Sequence, residues 1–126
     1  MRLLLDTHIF LWWCADDRRL GDIERQAIRA AANDVFLSAA SVWEMAIKQT
    51  LGRLQVPEPV SAVAARVGIE RLPITFEHAE ATVALPPVHR DPFDRLLVTQ
   101  ARIEGLTLVT HDPQVRSYPG VAFLPA

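Results

Sequence analysis

The chain has 126 residues, half of them apolar, a formal net charge of −2 and one cysteine. Such a length suits one domain with a real core, so disorder is excluded on composition, and the lone Cys14 excludes an intramolecular disulfide and fits a reducing compartment, with a small buried side chain as its expected role. The slight acidity gives no general attraction to polyanions, so nucleic-acid binding would need a local basic patch or a bound cation.

Leu3-Leu4-Leu5 reads as a buried strand that ends at Asp6. Arg2 followed by apolar residues faintly imitates a leader segment, but Asp6 and His8 interrupt the run and no small-residue cleavage site follows. The run is also too short to span a bilayer, which makes a cytoplasmic protein with no membrane role the expectation. Thr7 to Ala15 is predicted as a helix carrying Phe10, Leu11, Trp12 and Trp13. Adjacent tryptophans point about 100° apart on a helix, so one enters the core while the other faces outward or meets a partner. After the polar turn Asp16 to Arg19, Gly21 to Ala32 is predicted as an amphipathic helix and Asn33-Asp34 as a turn.

Val35 to Ser38 is a second strand run, leading into a helix that carries Glu44 and stops at Gly52. Either serine can cap it. Ser41 with Glu44 would form a capping box, whereas Ser38 as cap leaves Glu44 in the second turn and available for other work. Pro57 and Pro59 break the chain before a short helix, Val60 to Val67. Arg71 to Ile74 is a third strand, and Thr75 caps a helix through Val83. Asp91 is a good N-cap with Pro92 at the first helical position, and Asp94 falls in the first turn, where the helix dipole favours negative charge. The helix closes at Gly105. Leu106 to Thr110 is a strand, His111-Asp112-Pro113 is another cap followed by proline, and Val121 to Leu124 is an edge strand between Pro119 and Pro125.

Strands and helices alternate throughout, which predicts a single three-layer α/β domain over residues 1–126, with a mostly parallel sheet of four to five strands flanked by helices. Ligands of such sheets bind beyond the carboxyl ends of the strands. Asp6, Asp94 and Asp112 stand just after strands or at helix starts, and Glu44 is carried by the helix that the second strand leads into, so these four are the expected cluster. Each alone is explained by capping or surface pairing, Glu44 with Lys48 for instance. Together they would repel unless protonated or bridged by a divalent cation, and hard oxygen donors suit Mg²⁺ or Mn²⁺. That donor set is of nuclease type. The histidines His8, His78, His89 and His111 lack the close pairing of a zinc site, although His89 and His111 are placed to border a cleft.

Four ordered stretches, LLLDTH at Leu3 to His8, SAASVWEMAIK at Ser38 to Lys48, HRDPFDRLLVTQA at His89 to Ala101 and LVTHD at Leu108 to Asp112, resemble the PIN-domain family. Within it they are most similar to the VapC-type ribonuclease toxins of VapBC toxin–antitoxin pairs. The resemblance implies a parallel sheet flanked by helices, Mg²⁺- or Mn²⁺-dependent endoribonuclease activity on RNA, a homodimeric toxin, and inhibition by a small VapB-type antitoxin. It carries the family's acidic quartet onto Asp6, Glu44, Asp94 and Asp112 as catalytic and metal-holding residues, with Asp91 chiefly as the cap that positions Asp94. Thr7 and Thr110 adjoin quartet acids and are candidates to hydrogen-bond them. Lys48 is the first candidate for substrate phosphates, followed by Arg90 and Arg95, while Phe10, Trp12, Trp13 and Trp43 are candidates to line a groove for an antitoxin helix. The rival expectation is a non-catalytic PIN-like module that binds RNA or protein.

Overall fold

The computed structural model describes residues 1–87 and 90–125. Five strands form one sheet: β1 (Arg2–Leu5), β2 (Asp34–Ser38), β3 (Glu70–Leu72), β4 (Thr107–Val109) and β5 (Ala122–Leu124). Their order across the sheet is β3-β2-β1-β4-β5, and every neighbouring pair is parallel. The helices are α1 (Thr7–Ala15), α2 (Asp22–Arg29), α3 (Ala39–Thr50), α4 (Val60–Val67), α5 (Phe76–Ala81), α6 (Pro92–Glu104) and α7 (Pro113–Arg116), with a 3₁₀ turn at Thr82–Ala84.

Successive side chains of a strand point to opposite faces, and β1 uses this to feed two cores. Leu3 and Leu5 join Ile9 and Phe10 of α1, Met45 of α3 and Val60 of α4 on one face. Leu4 joins Leu97 and Val98 of α6 and Val115 of α7 on the other. A strand buried on both faces reads as a continuous apolar run, which is why Leu3-Leu4-Leu5 is legible without alternation. The result is the expected three-layer α/β arrangement with a parallel sheet.

Register decides what happens at the carboxyl edge. Leu5 lies opposite both Leu37 and Val109, so β1 and β4 finish level and β2 runs one residue further, to Ser38. Ser38, Asp6 and Thr110 therefore stand side by side at this edge, and the Asp6 N–H still donates to the Val109 carbonyl at 3.1 Å.

Several boundaries differ from expectation for local reasons. The helix expected over Gly21 to Ala32 stops at Arg29, with Ala30 extended and the Asn33 side-chain amide donating to the Ala27 carbonyl at 2.9 Å. The third strand is Glu70–Leu72, not Arg71 to Ile74, because Pro73 has no N–H to continue the ladder. Ser38, not Ser41, caps α3, its Oγ accepting from the Ala40 N–H at 3.0 Å. Cys14 was expected to be buried and is exposed, since it sits in the last turn of α1, beyond the part of that helix that covers the sheet. Among the described residues no helix is long and apolar enough to cross a membrane.

Candidate active site

Asp6 ends β1 and begins α1, and its side chain does the work of a cap: Oδ1 accepts the Ile9 N–H at 2.8 Å. The residue is 6% exposed. Burial pushes its carboxyl above the usual range and the charge of Asp112 adds to this, while hydrogen bonds from Thr110 and the Ile9 N–H and the nearby His8 oppose it. Thr110 is fully buried behind the acids, and its hydroxyl also accepts the Asp112 N–H at 3.1 Å. One hydroxyl thus ties together the acids that follow β1 and β4. Asp112 in turn caps α7, accepting from the Gln114 N–H at 2.9 Å.

Glu44 reaches the same place from α3. Thr7 Oγ1 donates to Glu44 Oε1 at 2.6 Å, and Lys48 Nζ lies 3.1 Å from Oε2, one helical turn on. Ser38, as cap, sets the start of this helix, and its hydroxyl donates to Gln100 Oε1 on α6. Ser41 Oγ is buried and has no hydrogen-bond partner among the described residues. From the far side, Asp91 Oδ1 accepts the N–H groups of Phe93 at 2.9 Å and Asp94 at 3.2 Å, with Pro92 at the first helical position, which fixes Asp94 in the opening turn of α6.

These side chains line one cleft of about 420 Å³ that contains Asp6, Glu44, Asp91, Asp94 and Asp112, with Thr7, His8, Lys48 and Arg53 among them. All four expected acids are therefore brought together, and Asp91 joins them. Thr7 and Lys48 are in the cleft as expected. Arg90 is exposed and does not line it. Arg95 is directed elsewhere, donating to the carbonyls of Thr82 and Pro86 at 3.0 Å each and to the Tyr118 hydroxyl, so it anchors the 3₁₀ turn against α6. His89 lies outside the described residues. Arg53 was missed: Gly52, at φ +71°, ends α3 and lets the Arg53 N–H return to the Lys48 carbonyl at 2.8 Å. The signal available in the sequence was the glycine stop, after which the next residue folds back over the helix end.

The aromatic residues do not form one groove. Trp12 stands beside the acids, in a smaller cavity with Asp6, His8 and Asp112. Phe10 and Trp13 face an apolar groove of about 660 Å³ between α1, α4 and the 54–58 segment. Trp43 is 59% exposed on α3 and meets Phe93 edge-on at 5.4 Å.

The donors in the cleft are hard carboxylate oxygens, matched to Mg²⁺ or Mn²⁺ in chemistry. Among the described residues no group of three His, Cys, Asp or Glu side chains stands close enough together to hold a metal ion as placed. Mg²⁺ usually keeps several waters and takes only one or two carboxylates directly, so its binding does not require three of these acids in contact with the ion. The buried Asp6 beside Asp112 is where a cation would relieve both desolvation and like-charge repulsion.

The family model for the PIN domain matches residues 3–121. Ribonuclease VapC22 of Mycobacterium tuberculosis is 34% identical over 119 residues, covering 92% of this chain and 91% of that protein. Among solved structures, VapBC2 from Rickettsia felis, bound to a DNA fragment from its promoter, superposes with a TM-score of 0.71 at 16% identity, covering 98% of this chain and 97% of that one. DNA-bound VapBC from Salmonella typhimurium gives 0.67 at 17% identity, with 98% and 96% covered. At those identities the structures speak for the fold alone.

Proposed function

The chain belongs to the PIN-domain family, and we propose that it is an Mg²⁺- or Mn²⁺-dependent endoribonuclease acting as the toxin of a toxin–antitoxin pair. The observation that carries this reading is the convergence of Asp6, Glu44, Asp94 and Asp112 on one cleft at the carboxyl edge of a parallel sheet. The ribonuclease name of the similar mycobacterial protein supports RNA as the substrate class.

Asp6, Asp94 and Asp112 would hold the cation, with Glu44 as a further ligand or as the base that orients water. Mg²⁺ or Mn²⁺, when bound, would supply Lewis-acid stabilisation of the phosphodiester and a more acidic water. The protein's own groups do the rest. Thr7 and Lys48 hold Glu44 by its two oxygens, which fixes the direction in which it can accept a proton. Lys48 and Arg53 are the cations of the cleft lining, suited to substrate phosphates on a net acidic protein. Ile47, Leu51 and Phe93 supply apolar wall, which strengthens every charge interaction beside it.

Solved neighbours include VapBC complexes and a toxin–antitoxin complex from Klebsiella pneumoniae. For this chain we place an apolar antitoxin helix in the groove lined by Phe10, Trp13, Val56, Val63 and Val67. The exposed Val42 and Trp43 on α3 form an apolar face suited to a second copy of the chain.

The test is cleavage of total cellular RNA by purified protein with Mg²⁺, with Mn²⁺ and with a chelator, beside Asp94→Asn, with the cut ends mapped. Discrete metal-dependent cuts that vanish in Asp94→Asn are expected. Absence of cleavage with either metal, or wild-type cleavage by Asp94→Asn, would overturn the reading.

A further inference from the structure

A second cavity, of about 270 Å³, opens beside the acid cleft and shares Asp6, His8 and Asp112 with it. Its remaining walls are Trp12, Arg19 and His111, so most of the groups that enclose it are flat. The Trp12 ring lies 5.4 Å from His111 and 6.0 Å from His8, and the Arg19 guanidinium sits 5.0 Å from the centre of the Trp12 ring.

The flat walls are held in place by residues outside the acid cleft. His111 Nε2 lies 2.6 Å from Glu24 Oε1, and the Glu24 side chain is only 4% exposed. A carboxylate taken so far out of water needs its partner, so the pair fixes the imidazole tightly. The sequence makes room for it: a Cβ on Gly21 would stand 2.6 Å from Glu24 Oε2. Arg19 is fixed in plane by a fork to Asp17, Nε to Oδ1 at 3.0 Å and Nη2 to Oδ2 at 2.7 Å, while its side chain remains 68% exposed.

Asp6 and Asp112 on the shared wall disfavour a phosphate in this cavity, whereas an uncharged planar heterocycle meets aromatic and guanidinium faces on which it can stack. We propose that the cavity is a nucleobase subsite: the base next to the cleaved phosphodiester packs against Trp12 and Arg19 with His111 at its edge, and this placement selects the nucleotide presented to the acids. The proposal rests on the ribonuclease reading above.

Two measurements test it together. The first is steady-state cleavage of a short single-stranded RNA by wild type, Trp12→Ala and Trp12→Phe. In Trp12→Ala the KM rises about tenfold or more with kcat little changed, the scale of losing one base–aromatic stack, and Trp12→Phe recovers most of the loss. The second is quenching of 2-aminopurine, placed next to the cut site in the same RNA, by the cleavage-deficient Asp94→Asn. The quench is expected to disappear when Trp12→Ala is added, and an RNA with an abasic residue at that position should bind the Asp94→Asn protein as weakly as the intact RNA binds the double variant. A purely structural Trp12 would not distinguish abasic from intact RNA. Cleavage by wild type combined with unchanged KM in Trp12→Ala, or with quenching that survives it, overturns the subsite alone. Failure of wild type to cleave any RNA overturns the ribonuclease reading and the subsite with it.

Discussion

Thr7 donates its hydroxyl hydrogen to Glu44 across 2.6 Å, joining the first residue of α1 to the middle of α3 over a sequence separation of 37. Because Thr7 is buried and Glu44 partly so, this bond orients the carboxylate against little competition from water. Thr7→Val keeps the shape and removes the donor. A hydrogen bond to a charged group is worth about 1.5–3 kcal/mol, so kcat should fall roughly tenfold to a hundredfold, with Thr7→Ser restoring most of it. Steady-state cleavage with KM and kcat resolved is the check, and a Thr7→Val enzyme of undiminished kcat would release Glu44 from this role.

Asp6 gives a pH prediction opposite to that of ordinary surface acids. Its carboxyl is raised by burial, so the folded chain binds that proton more tightly than the unfolded chain does. Its charge therefore costs stability above the folded value, and that cost is removed as pH falls through it. Glu58, lowered by its hydrogen bonds to Arg66, contributes in the other sense and loses its contribution on acidification. Asp6→Asn keeps an oxygen for the Ile9 N–H but removes the charge. Without divalent metal the variant should melt higher than wild type at neutral pH, with the gap closing toward acid. Calorimetric scans across pH measure it, and cleavage should be lost in the same variant.

Ser38 links the start of the Glu44 helix to Gln100 on α6. Ser38→Ala removes the cap of α3 and leaves a buried amide short of a partner, a loss of about 1–3 kcal/mol. Urea unfolding followed by circular dichroism should show a lower midpoint at unchanged slope. An unaltered midpoint would mean that α3 starts without this serine.

Lys48 and Arg53 carry the positive charge of the cleft lining. If they meet phosphates, each alanine substitution should weaken RNA binding and reduce the slope of log affinity against log salt by about 0.7, the value for one single-strand contact. Arg95→Ala should instead lower stability and leave that slope alone, because its donors are committed to Thr82, Pro86 and Tyr118. Binding titrations at several salt concentrations separate the two behaviours.

Most of the scaffold was legible because local rules and tertiary packing agree in it. Leu3-Leu4-Leu5, the Asp91-Pro92 cap and the Gly105 stop each state their element in a few residues, and the acids could be read as a set because three follow a strand or open a helix and Glu44 rides on the helix that follows β2. What was not legible depends on pairing across the chain. Glu24 and His111 are 87 residues apart, and each alone resembles a surface residue. Arg95 was a candidate for substrate phosphates, but its direction is set by where the 3₁₀ turn packs, which no local pattern encodes. One of the two adjacent tryptophans was expected in the core; they do diverge, but both stay half-buried against the same cluster, and which of them would meet the acids followed only from how α1 lies on the sheet. Cys14 was misplaced for the same reason: composition favours burial, and the position of the helix end overrode it.

The most direct test of the central claim, that these acids form one cation site, is anomalous diffraction at the manganese edge from crystals grown in saturating Mn²⁺. A peak in the cleft, held directly or through water by Asp6, Asp94 and Asp112, is the predicted result. Acids that remain without a peak, in a protein that still cleaves RNA under those conditions, would contradict it.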